Sequence, residues 1–190
     1  AVERITRCRL VQPEELFEAN GVWNCFDFHS AFSSATAEGA LQRMNSAITA
    51  AHEHLKGCKY VFLTLGTAIT YSLNGVVVGN CHKLPAAQFE RRMCSVKEVT
   101  DALEAAVKML REVNMAVKVI FAGSKSRHVA AGLSANCLNK STLRVSVGEI
   151  TAQMADCLYS PSYEFMLDDR DDYCFYDADM LHPAEVAVNY

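Results

Sequence analysis

An Asp-x-x-His pair near the end of the chain, Asp179 and His182 followed by Pro183, is the clearest candidate for chemistry in this sequence. A carboxylate three residues before a histidine on a turn can accept the Nδ1–H of the imidazole, which leaves Nε2 free to act as a base. Pro183 suits the first position of a helix, so we expect His182 at the N-cap or just outside it. The structural alternative is a carboxylate that caps this helix, beside a surface histidine.

Two further polar clusters follow apolar runs of strand length. Gly66-Thr67 comes directly after the run 60–65, and Ser-Lys-Ser-Arg-His at 124–128 comes soon after the run 117–121. In open parallel sheets, ligands bind beyond the carboxyl ends of the strands. We therefore expect both clusters and the Asp-x-x-His segment to meet at one edge of a sheet.

The elements that must position these clusters alternate between helix and strand. Apolar residues recur every three or four positions in three segments, which predicts helices over about 41–55, 99–110 and 143–154. Apolar runs predict strands at 60–65, 117–121 and 163–167, and the first run has no polar alternation, so we expect it to be covered on both faces. Asn74-Gly75 predicts a type I′ hairpin over 69–78. The predicted class is α/β, a three-layer α/β/α fold with a mainly parallel sheet.

Composition narrows the possible functions. The chain has 190 residues, 51% of them apolar, and a formal net charge of −4, which excludes disordered and collagen-like classes. The basic residues form no tract longer than Arg91-Arg92, which argues against nucleic acid or an anionic membrane as partner. We expect one domain over 1–190, no membrane span, and a cytoplasmic location by default, because no targeting segment is present.

The spacing of the cysteines and histidines does not indicate a metal or redox site. The eight cysteines lie at least 13 residues apart, so no C-x2-C pair exists, and we expect free thiols. His82, His128 and His182 with Asp179 are an alternative ligand set, but none shows the His-x3-His spacing that suits zinc. We therefore predict no metal and no cofactor. Ser30, next to a histidine, is a weak alternative nucleophile, because adjacent side chains of an extended chain point apart.

Several longer blocks resemble one known family. They are Phe-Leu-Thr-Leu-Gly-Thr-Ala at 62–68, Asn-Gly-Val-Val-Val-Gly-Asn-Cys-His-Lys at 74–83, Val-Ile-Phe at 119–121 with Ser124, Arg127 and His128, Lys140 with Leu143, Pro-Ser-Tyr-Glu at 161–164, and Asp-Met-Leu-His-Pro at 179–183. Over about residues 15 to 190 the chain is similar to the GSCFA family.

This resemblance implies the SGNH/GDSL hydrolase superfamily, whose flavodoxin-like α/β/α members cleave or transfer acyl esters, often on carbohydrates. There a serine after the first strand is the nucleophile, the Asp-x-x-His supplies its base, and a glycine and an asparagine help to form the oxyanion hole. By position, Asp179 and His182 match the Asp-x-x-His. Gly66-Thr67 matches the block that normally continues with Asn, but residue 68 is Ala, so Asn80 is a candidate for the missing amide.

Seven matched residues are expected to bind the oxyanion or the substrate, a small-molecule or carbohydrate ester. They are Gly66, Thr67, Asn80, His82, Ser124, Arg127 and His128. The Gly-Ser-Cys-Phe-Ala segment that holds the family's nucleophile does not occur in the 190 residues. We expect it before residue 1, in a longer parent from which this chain is truncated at both ends and lacks the first strand. The family's Ser-Pro-Val-Arg-His also reads Ser-Lys-Ser-Arg-His at 124–128, which loosens that loop.

Two functions stay open at this point. The first is a serine esterase or O-acyltransferase whose nucleophile lies outside the 190 residues. The second is a non-catalytic binding or accessory module that retains the pocket. The sequence sets neither the acyl group nor the oligomeric state.

Overall fold

The computed structural model describes residues 1–127, 132–165 and 175–189. In chain order, its helices and strands are α1 (Val2–Thr6), β1 (Phe17–Ala19), β2 (Val22–Asn24), α2 (Ala37–Gly57), β3 (Tyr60–Leu65), β4 (Ile69–Leu73), β5 (Val76–Val78), β6 (Glu90–Met93), α3 (Val96–Val113), β7 (Lys118–Gly123), α4 (Leu133–Gln153), β8 (Cys157–Ser160), α5 (Ser162–Glu164) and α6 (Glu185–Asn189). None of the described helices is long and apolar enough to cross a membrane.

The chain divides into two compact units. The first comprises Ala1–Cys58, Thr70–Arg92 and Ala105–Ala116, and the second comprises Lys59–Ile69, Met93–Glu104 and Val117–Tyr190.

The first unit is built around α2. Thr36 caps this helix by accepting the N–H of Gly39 at 3.1 Å, and the predicted stripe buries Met44 and Ile48 against Val11 and Cys25. This unit also contains two β-hairpins. The strands β4 and β5 are antiparallel around Asn74 (φ 51°) and Gly75 (φ 79°), as the Asn-Gly signal predicts.

The hairpin of β1 and β2 turns in the same way, at Asn20 (φ 54°) and Gly21 (φ 73°). This second Asn-Gly signal is present in the sequence, and our prediction missed it. A further strand that we did not predict, β6, lies beside β4.

The second unit contains a three-stranded parallel sheet in the order β3-β7-β8. Val119 and Phe121 of the central strand β7 are fully buried, and α4 packs on β7 and β8. The capping box that begins α3 is formed, because Ser95 N–H donates to Glu98 Oε2 at 2.8 Å and Glu98 N–H donates to Ser95 Oγ at 3.2 Å. The predicted class is confirmed: α/β with a parallel sheet flanked by helices, consistent with a three-layer α/β/α fold.

The predicted position of the third strand is wrong. The strand is β8, at Cys157–Ser160, and Ser162–Glu164 form one helical turn where 163–167 was expected to be extended. Residues 166 and 167 lie outside the described part of the chain. Pro161 ends the strand directly after Ser160, because a proline has no N–H to continue a sheet ladder.

The burial predicted for β3 is also wrong in the described residues. Its side chains alternate, with Tyr60 53% and Phe62 65% exposed, whereas Val61 and Leu63 on the other face are half-buried. Successive side chains of a strand point to opposite faces, and β3 is an edge strand of the described sheet. An apolar run therefore does not by itself show that both faces are covered.

The turn at Gly75 gives a stability prediction. Gly75→Ala is expected to destabilise the protein by about 1 kcal/mol, because alanine is strained at a positive φ. The control is Gly57→Ala at the end of α2, where φ is not positive and an added Cβ meets nothing within 4 Å, so no loss is expected. Urea unfolding measures both, and equal midpoints for the two variants would contradict the I′ turn.

Candidate active site

Asp179 and His182 lie in a hairpin loop that runs from Phe175 to Ala184, which we call the dyad hairpin. Its ends are joined by hydrogen bonds from Ala184 N–H to Phe175 O at 2.9 Å and from Asp177 N–H to His182 O at 2.8 Å. Our expectation that Pro183 begins a helix is wrong. Pro183 forms the bridge of this hairpin opposite Tyr176, and α6 begins two residues later.

The side chains of Asp179 and His182 contact each other as the spacing predicts. Asp179 Oδ2 lies 2.5 Å from His182 Nδ1, while Oδ1 accepts the N–H groups of Leu181 at 2.8 Å and His182 at 3.0 Å. Those two donors precede α6, so the carboxylate caps a turn and not the helix. The contact uses Nδ1 of the imidazole, and no described residue bonds Nε2, which is the nitrogen that a general base needs.

The hydrogen bond from His182 lowers the pKa of Asp179 from its ordinary 3.8 to about 2, with help from the two backbone N–H donors. The carboxylate therefore stays ionised through the whole neutral and weakly acidic range. Because the folded pKa is the lower one, the contact stabilises the fold above pH 3.8 and this contribution is lost as the pH falls through about 2.

A carboxyl titration tests this contact directly. In His182→Ala we expect the pKa of Asp179 to rise from about 2 toward 3.8 but to stop short of it, because the two backbone donors remain. Carbon-detected NMR of the side-chain carboxyl measures both midpoints. His54→Ala, which removes an exposed histidine of α2, should leave the midpoint of Asp179 at about 2. A wild-type midpoint already near 3.8 would show that the contact does not persist in solution.

Arg127 connects the loop after β7 to the dyad hairpin. Its backbone N–H donates to Leu181 O at 3.0 Å, and its guanidinium carbon lies 4.0 Å from the ring centroid of Tyr176. Tyr176 is 8% exposed and packs with Ala187 and Phe175. A cation over a shielded aromatic face is a favourable contact, so Arg127 holds both sides of the hairpin.

The loops after β3 and β7 are joined by α4. Ser124 N–H donates to Leu65 O at 2.8 Å, which extends the sheet ladder by one step. Beyond that step, Lys140 Nζ donates to Gly66 O and to Ser124 O, both at 2.8 Å. Asn139 Oδ1 accepts the N–H of Ala68 at 2.6 Å and the hydroxyl of Thr67 at 3.1 Å.

At the carboxyl edge of the parallel sheet, the loop after β7 is therefore linked to the dyad hairpin by Arg127 and to the loop after β3 by Lys140. The family model of the GSCFA family matches residues 1–190. The chain belongs to the GSCFA family. No curated protein and no solved structure matches it.

In this GSCFA chain, Gly66, Thr67, Ser124 and Arg127 lie in the loops after β3 and β7, and Asp179 and His182 lie in the dyad hairpin, to which the second of these loops is bonded. All six lie in the second unit. The roles of Gly66, Thr67, Ser124 and Arg127 in binding an oxyanion or a substrate stay predictions. His128 lies outside the described residues.

Asn80 and His82 belong to the first unit. Asn80 Oδ1 accepts the N–H of His82 at 2.8 Å, and His82 Nε2 lies 2.8 Å from Cys25 O. The His82 ring is 5% exposed and meets Phe17 edge-on at 5.6 Å. These contacts show local packing of both residues, and the expected roles of Asn80 as an amide donor and of His82 as a binding residue stay predictions.

The alternative nucleophile Ser30 gains no support from its neighbour. His29 Nδ1 accepts the N–H of Ala31 at 3.1 Å and so caps the short 3₁₀ helix Ser30–Phe32. No disulfide joins the described cysteines to one another: Cys8, Cys25, Cys58, Cys81, Cys94, Cys137 and Cys157.

Sequence reasoning did not assign Asn139 and Lys140 to the GSCFA site. Both are buried, with Asn139 0% and Lys140 5% exposed. A signal was present, because Lys140 stands one turn before Leu143 and two turns before Val147 and so puts a charge on the apolar stripe of α4. Lysine is rarely buried without a partner, and its position on that stripe predicts a polar contact inside the domain.

Proposed function

We propose that this chain is the catalytic part of an SGNH-type serine hydrolase acting on acyl esters, either an esterase or an O-acyltransferase, with acylated carbohydrates as a substrate class. The observation that carries the proposal is the contact of Asp179 with His182 Nδ1, at the carboxyl edge of a parallel sheet in a GSCFA chain. Family membership alone supports only a relation to SGNH-like hydrolases.

In the proposed mechanism, a serine hydroxyl attacks the ester carbonyl while His182 Nε2 takes the hydroxyl proton. Asp179 holds the imidazole in the required tautomer and stabilises the imidazolium that forms. Backbone N–H groups of the Gly66-Thr67 loop stabilise the oxyanion. The alcohol then leaves with the proton from His182. A water molecule or an acceptor alcohol attacks the acyl-enzyme by the same steps, which release the acid or the new ester and restore the serine.

The nucleophile itself is proposed to lie outside the 190 residues. We propose that residues 1–190 form one GSCFA/SGNH-like domain whose first strand and Gly-Ser-Cys-Phe-Ala segment belong to the full-length parent. Support comes from the sequence, since no such segment occurs in it, and from β3, which is an edge strand in the described part of the sheet.

The test uses the full-length protein and the 190-residue chain side by side. A chromogenic acetate and acetylated sugars measure turnover, and a fluorophosphonate probe labels an activated serine for location by mass spectrometry. The full-length protein is expected to turn over and to carry the label on the serine of a Gly-Ser-Cys-Phe-Ala segment. The 190-residue chain is expected to show neither, because a base accelerates nothing without a nucleophile within reach.

Turnover by the 190-residue chain that Ser30→Ala abolishes would show that the nucleophile is misplaced. A full-length protein that binds acetylated sugars with no turnover and no label would favour the non-catalytic module.

A further inference from the structure

Lys140 is a buried cation whose described partners carry no charge. Its side chain donates to two backbone carbonyls, and no carboxylate pairs with it among the described residues. Burial lowers the pKa of Lys140 to about 8. The Tyr163 ring lies 5.7 Å from Nζ and adds a weak favourable contact. A cation kept in such a place is costly, so its two contacts call for an explanation.

The two carbonyls occupy equivalent places in the sheet. Leu65 pairs with Gly123 at the end of the β3–β7 ladder, so Gly66 and Ser124 are the next residues of each strand. The two strands end here, and Lys140 Nζ donates to the carbonyl oxygens of both Gly66 and Ser124. The ammonium thus sets the separation of two loops at the point where they begin to diverge.

Each loop leads to a part of the proposed site. The Gly66 side continues into Thr67, the expected oxyanion loop. The Ser124 side continues to Arg127, which contacts the dyad hairpin through Leu181 O and the Tyr176 ring. Lys140 therefore bonds the first residue of each loop. One loop contains Thr67, and the other contains Arg127, which contacts the dyad hairpin that holds His182.

We propose that Lys140 is a positioning residue of the hydrolase site, which holds the Gly66-Thr67 loop and the loop 124–127 at one separation and thereby places His182 relative to the oxyanion donors. The inference rests on the proposed function. Lys140 is 5% exposed, and in the described part of the chain it forms no hydrogen bond with Asp179 or His182. Its effect on the rate comes from geometry, where a misplacement of about 1 Å can cost ~10²-fold.

Lys140→Met in the full-length protein tests the proposal, because methionine keeps the apolar stem and removes the charge and the donors. We expect kcat to fall by about 10-fold to 10²-fold with KM changed far less. Lys140→Arg keeps a cation with donors and is expected to recover part of the lost rate. Lys140→Gln, which can still donate to one carbonyl, takes the place of the methionine variant if that variant does not fold.

The control is Ser146→Ala, which removes another buried polar group from α4. Ser146 Oγ lies within hydrogen-bond distance of Val96 O and Thr142 O, and in the described part of the chain it forms no hydrogen bond with either loop. The Ser146→Ala variant is expected to have a lower Tm and an unchanged kcat. A structural role alone for Lys140 would give the same pattern, a lower Tm with normal kcat in the folded fraction, and that result would overturn the proposal.

A second measurement does not need turnover. NMR of the full-length protein follows the amides of Gly66, Thr67 and Arg127 and the ring of His182. Lys140→Met is expected to shift all four, and Ser146→Ala is expected to shift none. A His182 signal that stays in place would overturn the proposal even if kcat falls. If the wild type shows no esterase activity, the proposed function fails, and the NMR result alone decides whether Lys140 positions His182.

Discussion

His182→Ala in the full-length protein is expected to lower kcat by ~10²–10⁴-fold, the usual contribution of a general base. Its Nδ1 is held by Asp179 at 2.5 Å, and Nε2 is the nitrogen left to accept the proton of the serine. The imidazole is 64% exposed, so its removal leaves no cavity, and Tm should change little. Steady-state kinetics with a chromogenic acetate and a melting curve measure both quantities.

The control for this variant is His54→Ala, which removes an exposed imidazole from α2, outside the proposed machinery. It is expected to leave kcat, KM and Tm at their wild-type values. If His182→Ala instead lowers Tm and retains normal kcat, the Asp-x-x-His turn is a structural element of the dyad hairpin. The hydrolase assignment would then rest on family membership alone.

Asp179→Asn is expected to lower kcat on the order of 10²-fold or more, although the change is nearly isosteric. The asparagine oxygen can still accept the backbone N–H groups of Leu181 and His182, so the turn should survive. Its amide would present an N–H to Nδ1, which favours the tautomer whose Nε2 is already protonated and cannot act as a base. Kinetics should therefore show a lower kcat with little change in KM or Tm.

Asp177→Asn is a matched control in the same dyad hairpin. The Asp177 carboxylate is exposed and accepts the N–H of Ala178 at 2.7 Å, and among the described residues it forms no bond with the His182 imidazole. The two substitutions remove the same charge from the same loop, and only Asp179→Asn disturbs the imidazole. Equal losses of kcat in both variants would mean that the general negative charge of the hairpin matters, and the role of Asp179 as the orienting carboxylate would be wrong.

The position of Arg127 changes how its expected role should be tested. Its guanidinium lies over Tyr176, a contact that the sequence offered no means to predict. An arginine in that position can present its edge to a carbonyl or carboxylate while its face stays on the ring. Kinetics of Arg127→Lys would therefore combine any loss of substrate binding with a loosened hairpin, and the NMR signal of His182 separates the two.

Local patterns in the sequence were enough for much of the fold. The apolar stripe of α2, the capping box at Ser95, and the Asn-Gly turn between β4 and β5 each depend on residues only a few positions apart. The Asp179–His182 contact belongs to the same group, because three residues of turn bring the two side chains together. These interactions join residues that are a few positions apart in the sequence, so the spacing of residue types is enough to predict them.

Other features were decided by the tertiary structure. The third strand lies at Cys157–Ser160 because those residues find a partner in β7, whereas Ser162–Glu164 form a helical turn. Lys140 bonds carbonyls 74 and 16 residues away. Every residue carries a backbone carbonyl, so nothing in the sequence marks Gly66 and Ser124 as its partners. Only the folding of three distant segments to one sheet edge makes that choice.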